Sequence, residues 1–590
     1  MFLLMTGRVS DTQYKLLKVS AQYDLQEVCM TKDELRACVA EGTIVHGFDG
    51  EDCTFYESLE AFLETKNFEF SLFAPDTLRK FRVAHCGMGR LTPYISGTSQ
   101  VSMHSCMQFG NYITEIGGVL EIPDYCTEVT ASSGYDKLRM FVSELRMPDS
   151  VDSLSVALCR QFITLNKVRL SAALRVLPAE TFAECRELES IELPTCLNNL
   201  GDSCFEACHK LSDAELPKGL ARLGAKAFRA TGLTHATIPE NITFIGADTF
   251  AECNQLTEVI FPPYCVTTID SRAFKNTGIT ELNLPVGLSS IGAETFAGIP
   301  IKTLDLPASI QVLGESVFDK CNLLKEVVIR FGDLEERDVA PFTGCSSLER
   351  VSIQGDMHRI PQNFFSECEW LSYIHLPECI QTVGAYACLK LKHLVQVDNL
   401  DKVSVIEHKA FVRCGFTELI LGEVILHSAA FRICRDLRSL QIANCRMLEN
   451  EVFEDCKNLE TAQIQGTLEC IGDSCFKGCR SLKEFVIPDS VKTLESECFY
   501  ACRSLCKIVL SEQLCVVGDN CFGACDSLRE VVVPDNVPIE ALEQFFTGKF
   551  PDLVLYVRKG SAIDERLQHR AEWCKRIGKT LNIRGIEYIG

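Results

Sequence analysis

Four pairs of cysteines stand four residues apart: Cys204/Cys208, Cys475/Cys479, Cys498/Cys502 and Cys521/Cys525. On a helical turn, residues at i and i+4 share a face, so each pair has the spacing of a two-thiolate metal or redox site. The equivalent places elsewhere in the chain argue for a blander role. Ala227, Thr249 and Val317 take the first position, and Thr231, Thr277 and Ile299 the second. A place that accepts Ala, Thr and Ile is a small buried slot, which a free cysteine fills as a small hydrophobe. The expectation is stacked, buried and reduced thiols, with disulfides between neighbours or a metal as the alternatives.

Other chemistry-bearing residues are sparse. His85-Cys86 and His104-Ser105-Cys106 hold four groups able to bind zinc, but at none of the usual finger spacings. There is no G-x-S-x-G and no G-x-x-x-x-G-K-[ST]. Gly578-Lys579-Thr580 has Trp573 where the first glycine of a phosphate loop belongs, and it follows a helix-like segment. Asn241-Ile242-Thr243 is a glycosylation sequon by pattern. The sequence therefore predicts no catalytic residue, no metal and no cofactor.

What positions the cysteines is a repeat. Cys475-Phe476, Cys498-Phe499 and Cys521-Phe522 each lead, at the same offsets, to Cys479, Cys502 or Cys525 and then to Leu482, Leu505 or Leu528. Self-similarity at a fixed period of about 20 to 50 residues marks a solenoid. The marker phenylalanine recurs at Phe182, Phe205, Phe228, Phe250, Phe274, Phe296, Phe318, Phe342, Phe365, Phe411, Phe431, Phe453, Phe476, Phe499 and Phe522, with Cys388 in its place once. Within a unit, Ile191 and Leu193 alternate with polar residues as in a half-buried strand, which Pro194 ends. A glycine such as Gly201 or Gly314 lies four residues before many markers, and a turn with positive φ is its expected use. A short helical or 3₁₀ turn is expected through Cys204, Phe205 and Cys208. One unit cannot bury its own apolar face, whereas stacked units can.

The net charge of −22 argues against a nucleic-acid partner, because phosphate binding needs Lys and Arg. It also disfavours anionic membranes. No run of 18 apolar residues occurs, and Met1–Met5 carries no basic region before its short apolar stretch. A cytoplasmic chain with reduced thiols is expected, with no membrane insertion. Near the N-terminus, Thr31-Lys32-Asp33-Glu34 forms a capping box ahead of a stripe of Leu35, Cys38 and Val39, with Gly42 as the stop. Thr43–Val45 reads as a strand and Tyr56–Phe62 as a second helix.

Segments such as Leu482-Lys483-Glu484-Phe485-Val486-Ile487-Pro488-Asp489-Ser490-Val491 and Ile291-Gly292-Ala293-Glu294-Thr295-Phe296 resemble BspA-type leucine-rich repeats. The likeness covers roughly residues 113–557. Leu555–Ser561 and Trp573 resemble the closing strand and helix of that family. The resemblance implies a curved α/β repeat solenoid, a leucine-rich repeat array of short strands and short helical turns, with a protein-binding role. The expected organisation is a small α/β region at 1–80, an uncertain stretch of degenerate repeats at 81–112, the array at 113–557 and a C-terminal cap at 558–590.

The outward strand positions fall about eight and ten residues after each marker. They include Ser190, Glu192, Asp213, Glu215, Glu258, Asp305 and Glu326, with Glu281 one position nearer its marker in a shorter unit. This reads as an acidic strip, either attracting a basic partner or simply keeping the face solvated. Val486, Val509 and Val532 take the corresponding place in the last units. They read as an exposed apolar stripe for a partner or for self-association, unless residues 540–590 fold back over them. The function expected is a non-enzymatic scaffold that presents its sheet to a protein. Alternatives are an adhesin-like surface protein, as the family resemblance suggests, and an enzyme with its site within residues 1–112.

Overall fold

The computed structural model describes residues 142–334 and 339–542 without a break, and 550, 552–576 and 585–589 after them. Before residue 142 it describes 2–10, 13–19, 25–41, 44–46, 59, 61, 82–83, 90–92, 100–102, 118–122, 127–130 and 139. His85-Cys86, His104-Ser105-Cys106, Gly42 and Gly578-Lys579-Thr580 lie outside the described residues. So does most of Tyr56–Phe62, of which Leu59 and Ala61 have helical backbone. The chain divides into two compact units, Met1–Ile279 and Thr280–Gly590.

The first unit opens with strands β1 (Phe2–Ser10), β2 (Gln13–Val19) and β3 (Leu25–Thr31), helix α1 (Lys32–Ala40) and strand β4 (Ile44–His46). The sheet order is β3-β2-β1-β4, antiparallel except where β4 runs parallel to β1. The capping box forms as expected: Glu34 N–H donates to Thr31 Oγ1, and Thr31 N–H donates to the Glu34 carboxylate. Leu35 is buried in α1 against Leu3, Tyr14, Leu16 and Leu59, with Cys38 and Val39 packed on the same cluster.

Arg82–Val83 pairs antiparallel with Arg90–Thr92, and the described strands that follow in this unit form a parallel coil. Gly118–Glu121, Val142–Arg146, Lys167–Arg169 and Ser190–Ile191 pair in parallel, one strand per turn. The ladder reaches back to Arg90–Thr92, which pairs in parallel with Gly118–Glu121. Each turn also carries a second strand, two residues long in most turns, such as Val176–Leu177, Asn199–Leu200 and Arg222–Leu223. The second unit repeats this design. Thr303–Leu306, Glu326–Ile329, Arg350–Ile353, Tyr373–His375 and Gln396–Asp398 form one five-stranded sheet. Eight strands from Arg359–Ile360 to Val516–Val517 form another.

Stacked phenylalanines run through the core. In the first unit the rings of Phe182, Phe205, Phe228, Phe250 and Phe274 follow one another at 5.3–5.6 Å, within 15° of parallel. In the second, Phe411, Phe431, Phe453, Phe476, Phe499 and Phe522 follow one another at 5.2–5.8 Å, within 17° of parallel. Offset stacks of this kind contribute about 0.5–1.5 kcal/mol per pair beyond area burial.

Two local expectations are corrected. The marker segment is a chain of tight turns, not a helical turn. Glu206 N–H donates to Ser203 O and Cys208 N–H to Phe205 O, with Ser203 and Ala207 at φ 53° and 60°. The intervening amides bond the next turn instead: Ser203 to Ala225 O, Phe205 to Ala227 O and Ala207 to Arg229 O. The left-handed places are thus held by many residue types, Lys226, Asp248, Arg272 and Ile433 among them, and by glycine at Gly298, Gly344 and Gly478. The glycine four residues before the marker has no positive φ and serves close approach. A Cβ on Gly201 would lie 2.4 Å from Ala179 N, and one on Gly314 2.4 Å from Ala293 N. Backbones of successive turns touch there, and no side chain fits between them.

Candidate functional site: the outer faces of the repeat sheets

The thiols are structural. Cys204, Cys208, Cys475, Cys479, Cys498, Cys502, Cys521 and Cys525 are all buried and unpaired. The cysteine three residues after each marker aims its thiol at the marker carbonyl of the turn before. Cys208 Sγ–H donates to Phe182 O, Cys253 to Phe228 O, Cys479 to Phe453 O, Cys502 to Phe476 O and Cys525 to Phe499 O, at 2.9–3.3 Å. Thr231 and Thr277 use the same slot differently, donating to the marker carbonyl of their own turn. Burial pushes the Cys185 and Cys525 thiols up to about 12 and that of Cys253 up to about 11. No group of three or more metal ligands forms among the described residues.

The acidic positions are exposed, Glu258, Asp305 and Glu326 within strands and Glu192 and Glu215 just outside them, but basic groups alternate with them. In the first unit Glu192, Asp213, Glu215 and Glu258 are all exposed. One row runs Lys167, Ser190 and Asp213; in the next pair His235 lies beside Glu258. His235 Nε2 is also 3.9 Å from Asp213 Oδ1. In the second unit Glu281 is exposed outside any strand, and Glu326 sits in register between Thr303 and Arg350. Asp305 is gripped at both oxygens by Arg330, at 2.7 and 2.9 Å, and Arg330 also reaches Gln354.

The valine row is continuous, Val486 beside Val509 beside Val532, and Tyr556 extends it. Only Val486 is well exposed, at 64%; Val509 and Val532 are half-buried. The described C-terminal strands do not lie across this row. Val554–Arg558 and Gly585–Ile589 add to the edge of the sheet, with helix α2 (Ala562–Arg576) between them in sequence.

A further polar cluster was not legible from residue types. On the five-stranded sheet of the second unit, the Arg350 guanidinium lies 4.5 Å over the Tyr373 ring. Tyr373 Oη donates to Asp398 Oδ2, Gln396 Nε2 donates to Asp398 Oδ1 at 2.8 Å, and His375 Nδ1 is 3.4 Å from Asp398 Oδ2. The Tyr373 hydrogen bond holds the Asp398 carboxyl below its ordinary value, and the same bond raises the Tyr373 hydroxyl. Beside these strands, Trp370 is 56% exposed and stacks on His393 at 4.6 Å and 6°. Reading successive units as columns aligns Arg350 with Tyr373 and His375 with Asp398, and would have exposed the cluster.

Parallel strands, one phenylalanine per turn and inter-turn thiol bonds define a repeat solenoid of the leucine-rich class. The sequence matches the BspA type leucine rich repeat region over residues 138–257, 243–369, 289–418 and 424–547, more than half of the chain. The chain therefore belongs to the BspA-type leucine-rich repeat family. Among solved structures it is similar to a leucine-rich repeat protein from Bacteroides ovatus, at 21% identity and a TM-score of 0.42, over 65% of this chain and 88% of that one. A leucine-rich repeat protein from Eubacterium ventriosum is 16% identical, with a TM-score of 0.32, over 58% and 83%. A leucine rich cell surface protein from Faecalibacterium prausnitzii is 14% identical, with a TM-score of 0.25, over 78% and 93%. No curated protein matches the chain. No helix among the described residues is long and apolar enough to cross a membrane.

Proposed function

We propose that the chain is a non-enzymatic scaffold that binds a protein through the outer face of the sheet running from Thr303–Leu306 to Gln396–Asp398. The observation that carries this is the Arg350 guanidinium stacked on Tyr373 on that sheet, with exposed Trp370 in the turn that leads into the Tyr373 strand. Trp, Tyr and Arg are the residues that dominate protein interfaces, because they offer large rigid contact area together with a polar end. The hydrogen bonds to Asp398 pre-order the Tyr373 and Gln396 side chains, so a partner has less side-chain freedom to remove. The acidic positions Glu192, Asp213, Glu215 and Glu258 act as a second, weaker attraction for basic groups.

A cytoplasmic location is part of the same reading. Its support is the use of buried thiols as hydrogen-bond donors, which requires them to keep their protons and stay reduced.

The test is affinity capture from the native cell, split into cytosolic and surface fractions, with the intact chain as bait. Trp370→Ala with Arg350→Ala should lose the captured partner while melting at the temperature of the parent. Undiminished capture by that double variant overturns the assignment of this face. Recovery from the surface fraction alone overturns the location.

A further inference from the structure

The second sheet of the second unit carries an apolar furrow that the proposed protein-binding face does not use. In most of its two-residue strands the first residue points outward and the second is buried. Successive first residues are Val405, Ile425, Met447, Cys470, Thr493 and Val516. Ile425, Met447 and Val516 are 56%, 47% and 53% exposed. Around Ile425, Met447 and Cys470 the surface sinks into a cavity of about 410 Å³, rimmed by Arg446, Glu449 and Glu469.

The rim has its own period. Two residues beyond the apolar row stand Glu407, Glu449 and Glu495, a carboxylate at every second turn. At about 4.8 Å per strand, successive carboxylates are roughly 10 Å apart. Seven residues of helix advance about 10.5 Å. A helix lying along the furrow with Lys or Arg at i, i+7 and i+14 would match all three, its apolar stripe on Ile425, Met447 and Val516. The first carboxylate already holds such a group: Arg359, two turns away, reaches Glu407 with Nη1 and Nη2 at 3.0 and 2.8 Å. Glu449 accepts from His427 Nδ1 at 2.8 Å. Glu495 has no cationic partner among the described residues, and touches Cys470 Sγ and Asp473 N–H. A second copy of this chain would bring its own net charge of −22 against the rim, and a nucleic acid would bring phosphates.

We propose that this furrow docks an amphipathic basic helix, with apolar side chains over Ile425 and Met447 and a lysine or arginine at Glu495. The probe is a fluorescein-labelled synthetic peptide of about 18 residues, built from Leu, Ala and Lys with Lys at seven-residue intervals beside a leucine stripe. Its scrambled isomer has the same charge and no stripe. Anisotropy titration of the full chain at near-physiological salt should show binding of the amphipathic peptide at least about tenfold tighter than the isomer. Ile425→Lys, Met447→Lys and Glu495→Lys should each weaken it about tenfold, while Trp370→Ala leaves it unchanged. All four side chains are exposed, and equal melting temperatures show that the variants fold. Equal binding of the two peptides, no binding, or full affinity in Ile425→Lys and Met447→Lys overturns the proposal. Loss of affinity in Trp370→Ala places the peptide on the other face and overturns it as well.

Discussion

Phe476→Ala is the sharpest test of the ladder. Phe476 is fully buried and stacks between Phe453 and Phe499, each at 5.4 Å, with Phe485 tilted against it at 5.2 Å. Truncating a buried phenylalanine costs about 3–5 kcal/mol. Losing two stacked partners, at ~0.5–1.5 kcal/mol each, places this site at the top of that range. In an array where each turn packs chiefly on its two neighbours, the damage should stay local. Urea unfolding followed by tryptophan fluorescence and circular dichroism measures the loss. Hydrogen exchange then locates it: the Phe453 amide, bonded to Cys475 O, and the Phe476 amide, bonded to Cys498 O, should lose protection. The Phe205 amide should keep its own. A loss below ~1 kcal/mol with unchanged protection would refute the argument that the stacked rings hold successive turns together.

Gly314→Ala should cost about 1–3 kcal/mol in chemical denaturation, because its Cβ would sit 2.4 Å from Ala293 N. Gly219→Ala, whose nearest neighbour would be Thr195 O at 3.8 Å, should stay within ~0.5 kcal/mol of the parent. Stability should also fall at alkaline pH. Burial lifts the Cys185 thiol from 9.0 to about 12, so the folded state keeps a proton that the unfolded chain releases. That contribution is intact below about pH 9 and is lost as the pH rises toward 12, a fall that urea midpoints across this window would record. Midpoints that stay flat there would mean the thiols are not buried in the folded chain.

The repeat was legible because each turn spends one phenylalanine and one small residue on the same two buried places, and the spacing survives every change on the surface. The capping box at Thr31 and Glu34 was legible because all its partners lie within one helical turn. The second strands were not. Asn199–Leu200 is two residues long, too short for an alternating pattern to show. The reason for Gly201 was hidden because the atoms that exclude a Cβ belong to Ala179, in the preceding turn. Glu192 and Asp305 were rightly placed on outward faces. The basic partners that alternate with such residues, Arg330 at Asp305 among them, emerge only when the units are aligned as columns.

The thiol bonds bear on how such an array can change length. Each of these turns brings one S–H for the turn behind it and one marker carbonyl for the turn ahead, as Cys502 does for Phe476 and Phe499 for Cys525. A duplicated turn therefore arrives with both halves of its connection and leaves neither neighbour with an orphaned polar group. A turn deleted whole closes the same way. Growth or shrinkage by one full period is cheap, whereas an insertion of a few residues beside the marker misaligns a donor and an acceptor at once. The observed variation in unit length should then collect in the corners between strands, away from the segment that joins marker to cysteine.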